Sequence, residues 1–132
     1  ILGDYTMKKT PQISEAERVV MQVLWSEGPL TANQIILKLD GKVKWNPRTI
    51  RTLINRLLTK QALHFDREGK EYRYFPAVTE QQCAKYERVS FLKRVYGGAT
   101  KPMIAAFIED AKLSKSDIAD LKAMLEQKGK GK

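Results

Sequence analysis

One stretch of the chain, residues 46–75, decides the fold, and it reads NPRTIRTLINRLLTKQALHFDREGKEYRYF. It opens on Asn46, a good helix N-cap, followed by Pro47, whose missing N–H costs nothing at the first helical position. An apolar stripe then follows at helical spacing: Ile50, Leu53, Ile54 and Leu57. This pattern predicts a helix from residue 46 to about residue 60.

The face of this predicted helix that lies opposite the apolar stripe carries no acid. At about 100° per residue that face holds Arg48, Thr52, Asn55 and Thr59, with Arg51 and Arg56 on its flanks. A solvated helix face usually mixes charges of both signs. The absence of carboxylates therefore favours a polyanionic partner.

Two aromatic-rich segments follow, residues 63–65 and 72–75. They flank the polar, glycine-containing residues 66–71, which we interpret as the turn of a β-hairpin. Pro76 ends the second strand, because it cannot donate to the ladder.

Two further helices precede this stretch. Ser14 and Glu17 form a capping box that opens a helix over residues 14–26, and Thr31 caps a short helix that ends near residue 40. Three helices followed by a hairpin predict a winged helix-turn-helix, so the fold class is mostly α with a small β-hairpin.

In such a fold the third helix enters the DNA major groove and the hairpin tip reaches the adjacent backbone or minor groove. Arginine suits the reading helix, because its planar fork can pair with guanine O6 and N7. The predicted DNA-binding residues are Thr31, Asn33, Asn46, Arg48, Thr49, Arg51, Thr52, Asn55, Arg56, Arg67 and Lys70.

Charge supports this interpretation. The 132-residue chain has a formal net charge of +9, and residues 42–73 hold nine basic and three acidic residues, a local excess of +6. A basic protein that is merely soluble is the alternative on total charge alone. The concentration of charge in one region favours nucleic acid.

Other chemistry is not indicated. Cys83 is the single cysteine, no Cys/His pair has metal-ligand spacing, and no nucleophile–base set or phosphate-cradling glycine loop is present. We therefore expect no metal, no cofactor and no enzymatic activity. With no membrane-spanning run or signal peptide in the sequence, we expect a cytoplasmic protein without membrane insertion.

The C-terminal part, residues 78–127, is predicted to hold three helices with narrow apolar stripes. Such helices pack most readily against a second copy, so we predict a dimerisation region; folding back on the first domain as a cap is the alternative. Its predicted contact residues are Tyr86, Val89, Leu92, Val95, Tyr96, Ile104, Phe107, Ile108, Ile118, Leu121 and Leu125.

The remaining segments complete the domain assignment. Residues 1–6 precede Met7 and are interpreted as a remnant of cloning, residues 7–77 as the winged domain, and residues 128–132 as a flexible tail.

Several residues admit a structural and a functional interpretation. Trp25 and Trp45 are expected to pack in the core rather than stack on bases, and His64 to be a packing or surface residue rather than a pH sensor. Cys83 is expected to be inert rather than a redox switch. Tyr72 and Tyr74 are expected to share one sheet face as packing residues, with an aromatic platform for single strands as the alternative.

Several motifs are shared with a known family: PQISEAE at residues 11–17, Val20-Met21, Leu24-Trp25, WNPRTIRTLINRL at residues 45–57, Phe91-Leu92 and Tyr96-Gly97-Gly98. Through them the chain resembles the BlaI/MecI family of penicillinase and methicillin-resistance repressors over essentially residues 7–127. The resemblance implies a winged domain that binds palindromic operators, C-terminal helices that form a homodimer, and release when a membrane sensor of β-lactams leads to proteolysis of the repressor.

The chain departs from the family pattern in two places. Family cleavage falls between Asn and Phe in the fifth helix, and the matching positions here are Ala106 and Phe107, which makes this bond the candidate induction site although the Asn is absent. Copper-responsive relatives end in Cys-x-Cys motifs, and this chain ends in glycine and lysine, so copper sensing is not expected.

Two function classes compete. The first is a sequence-specific repressor that binds a palindromic operator as a homodimer and controls a β-lactam-resistance-like or related stress operon, with a sensor or protease as a further partner. The second is a winged helix that docks proteins without reading DNA. The acid-free helix face favours the repressor.

Overall fold

The structure, a computed structural model, describes residues 10–131, so the predicted cloning remnant at residues 1–6 and the start at Met7 lie outside the described residues. Within residues 10–131 the chain forms six helices and three strands. They are α1 Glu15–Glu27, β1 Leu30–Thr31, α2 Ala32–Leu39, α3 Pro47–Thr59, β2 Leu63–Glu68, β3 Glu71–Pro76, α4 Glu80–Tyr96, α5 Thr100–Asp110 and α6 Lys115–Lys130.

Side-chain caps begin most of these helices, and the three predicted caps at Ser14, Thr31 and Asn46 are confirmed. At α1 the Ser14 hydroxyl accepts a 3.1 Å hydrogen bond from the Glu17 backbone N–H, and the Glu17 carboxylate accepts one of 2.9 Å from the Ser14 N–H. Thr31, Thr79 and Ser114 form the same reciprocal arrangement at α2, α4 and α6. Each cap satisfies backbone donors that the first helical turn leaves free.

The strands form a three-stranded antiparallel sheet in the order β1-β3-β2. Both hairpin strands are longer than predicted: the assumed turn over residues 66–71 was wrong, because pairing continues to Glu68 opposite Glu71. The turn consists of Gly69 and Lys70, and Gly69 adopts a φ of 65°, which suits glycine in a two-residue hairpin turn. The two-residue β1 was not predicted.

The core lies where α1, α2 and α3 pack against each other and against the base of the hairpin. Its most deeply buried side chains are Val20, Met21, Leu24, Ile35, Ile54 and Leu57. Trp25 and Trp45 lie half-buried against it, and Trp25 Nε1 donates a 3.0 Å hydrogen bond to the Val78 carbonyl. The predicted winged helix-turn-helix is therefore confirmed.

Contacts divide the chain into two units, with the boundary between Val89 and Ser90. In the second unit neither α5 nor α6 buries a side chain within the described residues. The Phe91 ring contacts Phe107 and Tyr96 at centroid distances of 6.0 and 5.9 Å. The predicted boundary between residues 77 and 78 stays a prediction.

The last helix is longer than expected, whereas α5 covers Thr100–Asp110 within the predicted helical region. The sixth helix, α6, continues to Lys130, into the segment for which we predicted a tail. Among the described helices, none combines the length and apolar character needed to cross a membrane.

Candidate nucleic-acid interface

The orientation of α3 is set by its buried stripe. Ile50, Leu53, Ile54 and Leu57 are all buried, so the rest of the helix surface faces outward. The outward side chains are exposed: Arg48, Thr49, Arg51, Thr52, Asn55 and Arg56. The helix therefore presents three guanidinium groups and short polar groups, with no carboxylate on its own residues.

The N-terminus of α3 is fixed by Asn46. Its side-chain oxygen accepts a 2.9 Å hydrogen bond from the Thr49 backbone N–H. At α2 the Thr31 hydroxyl accepts from the Gln34 N–H at 3.2 Å, which leaves its own proton free to donate. Both helix starts carry partial positive charge, which favours phosphate nearby.

Arg51 connects the two helices of the motif. Its Nη2 donates a 2.7 Å hydrogen bond to Asn33 Oδ1 on α2. A guanidinium has five donors, so one bond to Asn33 fixes its direction and leaves others for a base or phosphate. A shallow groove beside this pair is lined by Thr31, Ala32, Asn33, Arg51, Glu71, Tyr72 and Tyr74.

The hairpin supplies the remaining predicted residues. Arg67 and Lys70 are exposed at its tip, and the Arg67 guanidinium carbon lies 5.9 Å from the centre of the Tyr72 ring. Tyr74 packs against the core, and burial together with the neighbouring Tyr72 raises its pKa, while the Arg51 charge opposes the shift. The hairpin tip thus carries two exposed cations.

Sequence reasoning missed the contact that fixes the far end of α3. Lys60 Nζ lies 2.6 Å from Glu17 Oε1 and also donates a 2.9 Å hydrogen bond to the Gln12 carbonyl. Burial alone raises the pKa of Glu17, but the hydrogen bonds from Lys60 and Ser14 outweigh it and hold the pKa below its ordinary value. The capping box identified Glu17, but nothing local identified its partner 43 residues away.

The predicted dimerisation residues remain largely uncovered. Tyr86, Leu92 and Tyr96 are half-buried. The exposed ones are Val89, Val95, Ile104, Phe107, Ile108, Ile118, Leu121 and Leu125, joined by Met124. The Ala106–Phe107 bond lies inside α5, where Ala106 is half-buried and Phe107 is 53% exposed.

Two residues that were considered for switching occupy ordinary positions. His64 is exposed on β2, with its ring 5.6 Å from that of Phe75. Cys83 is buried on α4, and burial raises the pKa of its thiol. Within residues 10–131 no cluster of three or more His, Cys, Asp or Glu could hold a metal ion.

Comparison with known families gives a match over most of the chain. Residues 13–127 match the model of the penicillinase repressor family. The penicillinase repressor of Bacillus licheniformis is 38% identical over 121 residues, which cover 92% of this chain and 94% of that protein. The methicillin resistance regulatory protein MecI of Staphylococcus aureus (strain N315) is 33% identical, with 91% of this chain and 98% of that protein covered.

Two solved structures resemble about half of the chain. The solution structure of the DNA-binding domain of the repressor BlaI is similar at a TM-score of 0.50 and 39% identity, covering 55% of this chain and 88% of that one. The same values hold for monomeric Bacillus licheniformis BlaI in complex with the blaP half-operator.

Proposed function

We propose that this chain, which belongs to the penicillinase repressor family, is a transcriptional repressor that binds double-stranded operator DNA through α3 and the hairpin. The observation that carries the proposal is the acid-free outward face of α3, with Arg51 held in place by Asn33. The relative in complex with the blaP half-operator supports the same assignment.

The two parts of the interface have different tasks. The side chains of α3 from Arg48 to Arg56 are proposed to contact base edges in the major groove, and the Arg51 guanidinium, hydrogen-bonded to Asn33, is of the kind that suits a bidentate guanine contact. Arg67 and Lys70 are suited to phosphates, which position the protein without reading sequence. The proposal therefore involves binding alone and assigns no catalytic step.

We further propose that the repressor is a cytoplasmic homodimer and that the α5 and α6 stripes provide its interface. Helices that bury no side chain of their own, yet expose Ile, Leu, Met and Phe, lose apolar surface to water most readily by association. Two copies related by a two-fold axis would suit a palindromic operator.

The regulated operon and its signal follow from family membership as proposals. A β-lactam-resistance-like or related stress operon is the expected target, and a sensor or protease the expected inducer. Cleavage at Ala106–Phe107 is testable directly, because the intact chain and its two fragments differ in mass.

The decisive experiment titrates the protein against the palindromic DNA upstream of its own gene and against a scrambled duplex, each at two salt concentrations. We expect operator affinity at least ~10³-fold above that for the scrambled duplex, at two subunits per site. Equal, weak and strongly salt-dependent binding to both duplexes would contradict the proposal, because it would show only a generic electrostatic contact.

A further inference from the structure

The two faces of the hairpin differ in chemistry. Side chains alternate along a strand, and the register pairs Phe65 with Tyr74 and Arg67 with Tyr72 on one face. We call these four residues the aromatic face. The other face, called the acidic face, holds His64, Asp66, Glu68, Glu71, Arg73 and Phe75.

The aromatic face is packed against the core at the base of the hairpin and becomes exposed toward the tip. Leu63 and Tyr74 pack at its base, whereas Phe65 is 50% exposed and Tyr72 is 46% exposed. The Phe65 and Tyr72 rings lie 4.8 Å apart between centroids, and Arg67 lies against Tyr72. The exposed part is therefore an apolar surface with a cation at its edge and no carboxylate among its four residues.

The acidic face shows the opposite arrangement. It carries three carboxylates against one arginine, and that arginine is already paired, since Arg73 Nη1 lies 2.9 Å from Glu68 Oε1. A polyanion approaching the hairpin is repelled on this side and attracted on the other. The hairpin can therefore meet DNA favourably with only one of its faces.

We propose that the aromatic face packs against the sugar–phosphate backbone of duplex DNA, with Phe65 and Tyr72 on deoxyribose rings and Arg67 on a neighbouring phosphate. This inference rests on the proposed function and adds an apolar contact to it. Deoxyribose presents C–H groups between phosphates, so apolar rings flanked by a guanidinium match its surface.

The aromatic face is continuous with the surface of α3, and this favours duplex DNA as its partner over other molecules. Tyr72 and Tyr74 line the same groove as Asn33 and Arg51, so a duplex read by α3 runs past the aromatic face. Glu71 also lines this groove and is its one acid. Its charge opposes phosphate binding there, and Glu71→Gln is expected to strengthen binding to any duplex.

The test uses the 132-residue chain with Phe65→Ala or Tyr72→Ala, titrated against operator and scrambled duplex over a salt series. Each variant should lose about fivefold to thirtyfold in affinity for both duplexes, with an unchanged salt slope, because burying an apolar ring releases no counterion. Lys70→Ala should lower the slope by about one ion. Tyr72→Phe keeps the ring and should bind within about twofold of wild type.

His64→Ala is the matched control, since it shortens an exposed ring side chain on the opposite face of the same strand. It should bind both duplexes like wild type. Thermal unfolding of each variant separates a DNA contact from loss of the fold.

If wild type discriminates between the two duplexes but neither Phe65→Ala nor Tyr72→Ala changes the affinity, this inference is overturned and the repressor assignment still stands. A change in oligomeric state without a change in affinity per subunit would have the same consequence, because the face would then contact a second copy. Failure of wild type to discriminate the duplexes would instead contradict the proposed function.

Discussion

Glu17 is the one charged residue buried within the described part of the chain, with 2% of its surface exposed. A carboxylate in such surroundings needs hydrogen bonds and a counter-charge. The Ser14 N–H and Lys60 Nζ supply both. Because Lys60 follows the last turn of α3, this ion pair joins the start of α1 to the end of α3.

Lys60→Met is therefore expected to lower the free energy of unfolding by about 1.5–3 kcal/mol, the range for hydrogen bonds to charged groups. Urea unfolding at neutral pH measures the change. Lys38→Met is the control. Lys38 Nζ lies 3.4 Å from Glu27 Oε1, but both side chains are substantially exposed, and exposed ion pairs contribute little to stability. Equal effects of the two substitutions would contradict a special role for Lys60.

Acid titration examines the same pair independently. The folded pKa of Glu17 lies below its value of 4.5 in the unfolded chain, so the pair stabilises the fold fully above pH 4.5. As pH falls from 4.5 through the folded pKa, the unfolded chain binds the extra proton and this stabilisation is lost. Glu17→Gln should flatten this part of the stability curve; an unaltered curve would place the acid sensitivity elsewhere.

Substitutions of Arg51 and Lys70 are expected to impair DNA binding in different ways. Arg51→Ala should reduce discrimination between operator and scrambled duplex by about 1–3 kcal/mol, since it removes the guanidinium that is proposed to contact a base. Lys70→Ala should weaken binding to every sequence and lower the salt slope by roughly one ion. Fluorescence anisotropy over a salt series measures both quantities.

Asn33→Ala refines the test of Arg51. It leaves the guanidinium in place and removes the 2.7 Å bond that orients it. We expect partial loss of discrimination, smaller than for Arg51→Ala. If both variants discriminate between operator and scrambled duplex as well as wild type does, Arg51 is not part of the base-contacting surface.

At the scale of the element, the turn that ends α3 contains a strained residue. Gln61 has a φ of 65°, while the Ala62 N–H donates to the Leu57 carbonyl at 2.9 Å. This is a left-handed helix end, where glycine is usual and other residues are disfavoured. Gln61→Gly should stabilise the protein by about 0.5–1 kcal/mol, after allowing for the flexibility that glycine adds to the unfolded chain.

Thermal unfolding of Gln61→Gly beside Gln61→Val measures this strain. The β-branched valine should destabilise, because its side chain is least tolerant of positive φ. A valine variant as stable as the glycine variant would show that the turn relaxes to another conformation.

The starts of α1 and α3 were predictable because each depends on residues three apart. Ser14 with Glu17 and Asn46 with Thr49 are local pairs that a sequence displays directly. The strand β1 was not predictable, because Leu30 and Thr31 become a strand only by pairing with Tyr74 and Arg73. The hairpin turn was overestimated, since polar strand residues resemble turn residues when their pairing is unknown.

The candidate interface was predictable to a similar depth. The outward face of α3 followed from periodicity, because its apolar stripe is complete. The Arg51–Asn33 bond and the exposed half of the aromatic face did not follow, since they depend on how the elements pack. Tyr72 and Tyr74 share one face as predicted, but only Tyr74 packs against the core.

At the scale of the whole molecule, the uncovered stripes of α5 and α6 make assembly testable. Leu125 is 62% exposed, so Leu125→Asp removes apolar surface without opening a core. We expect wild type to sediment as a dimer and the variant as a monomer, with weaker operator binding at equal subunit concentration. Gln127→Asp, on the opposite side of α6, is the control.

A monomeric wild type would contradict the proposed dimer. The DNA-binding assignment would then be tested by the operator titration alone. A dimer that persists in Leu125→Asp would move the interface away from the α6 stripe.

The order β1-β3-β2 leaves β2 as an edge strand, with backbone donors and acceptors open to any other extended chain. Its outer half is Asp66, Arg67 and Glu68, three consecutive charges of alternating sign. Charged side chains on an edge discourage intermolecular strand addition. The hairpin that is proposed to bind DNA is thereby also protected against aggregation. Substitutions that replace these charged residues with uncharged ones to change DNA affinity should therefore be screened for solubility before their affinities are compared.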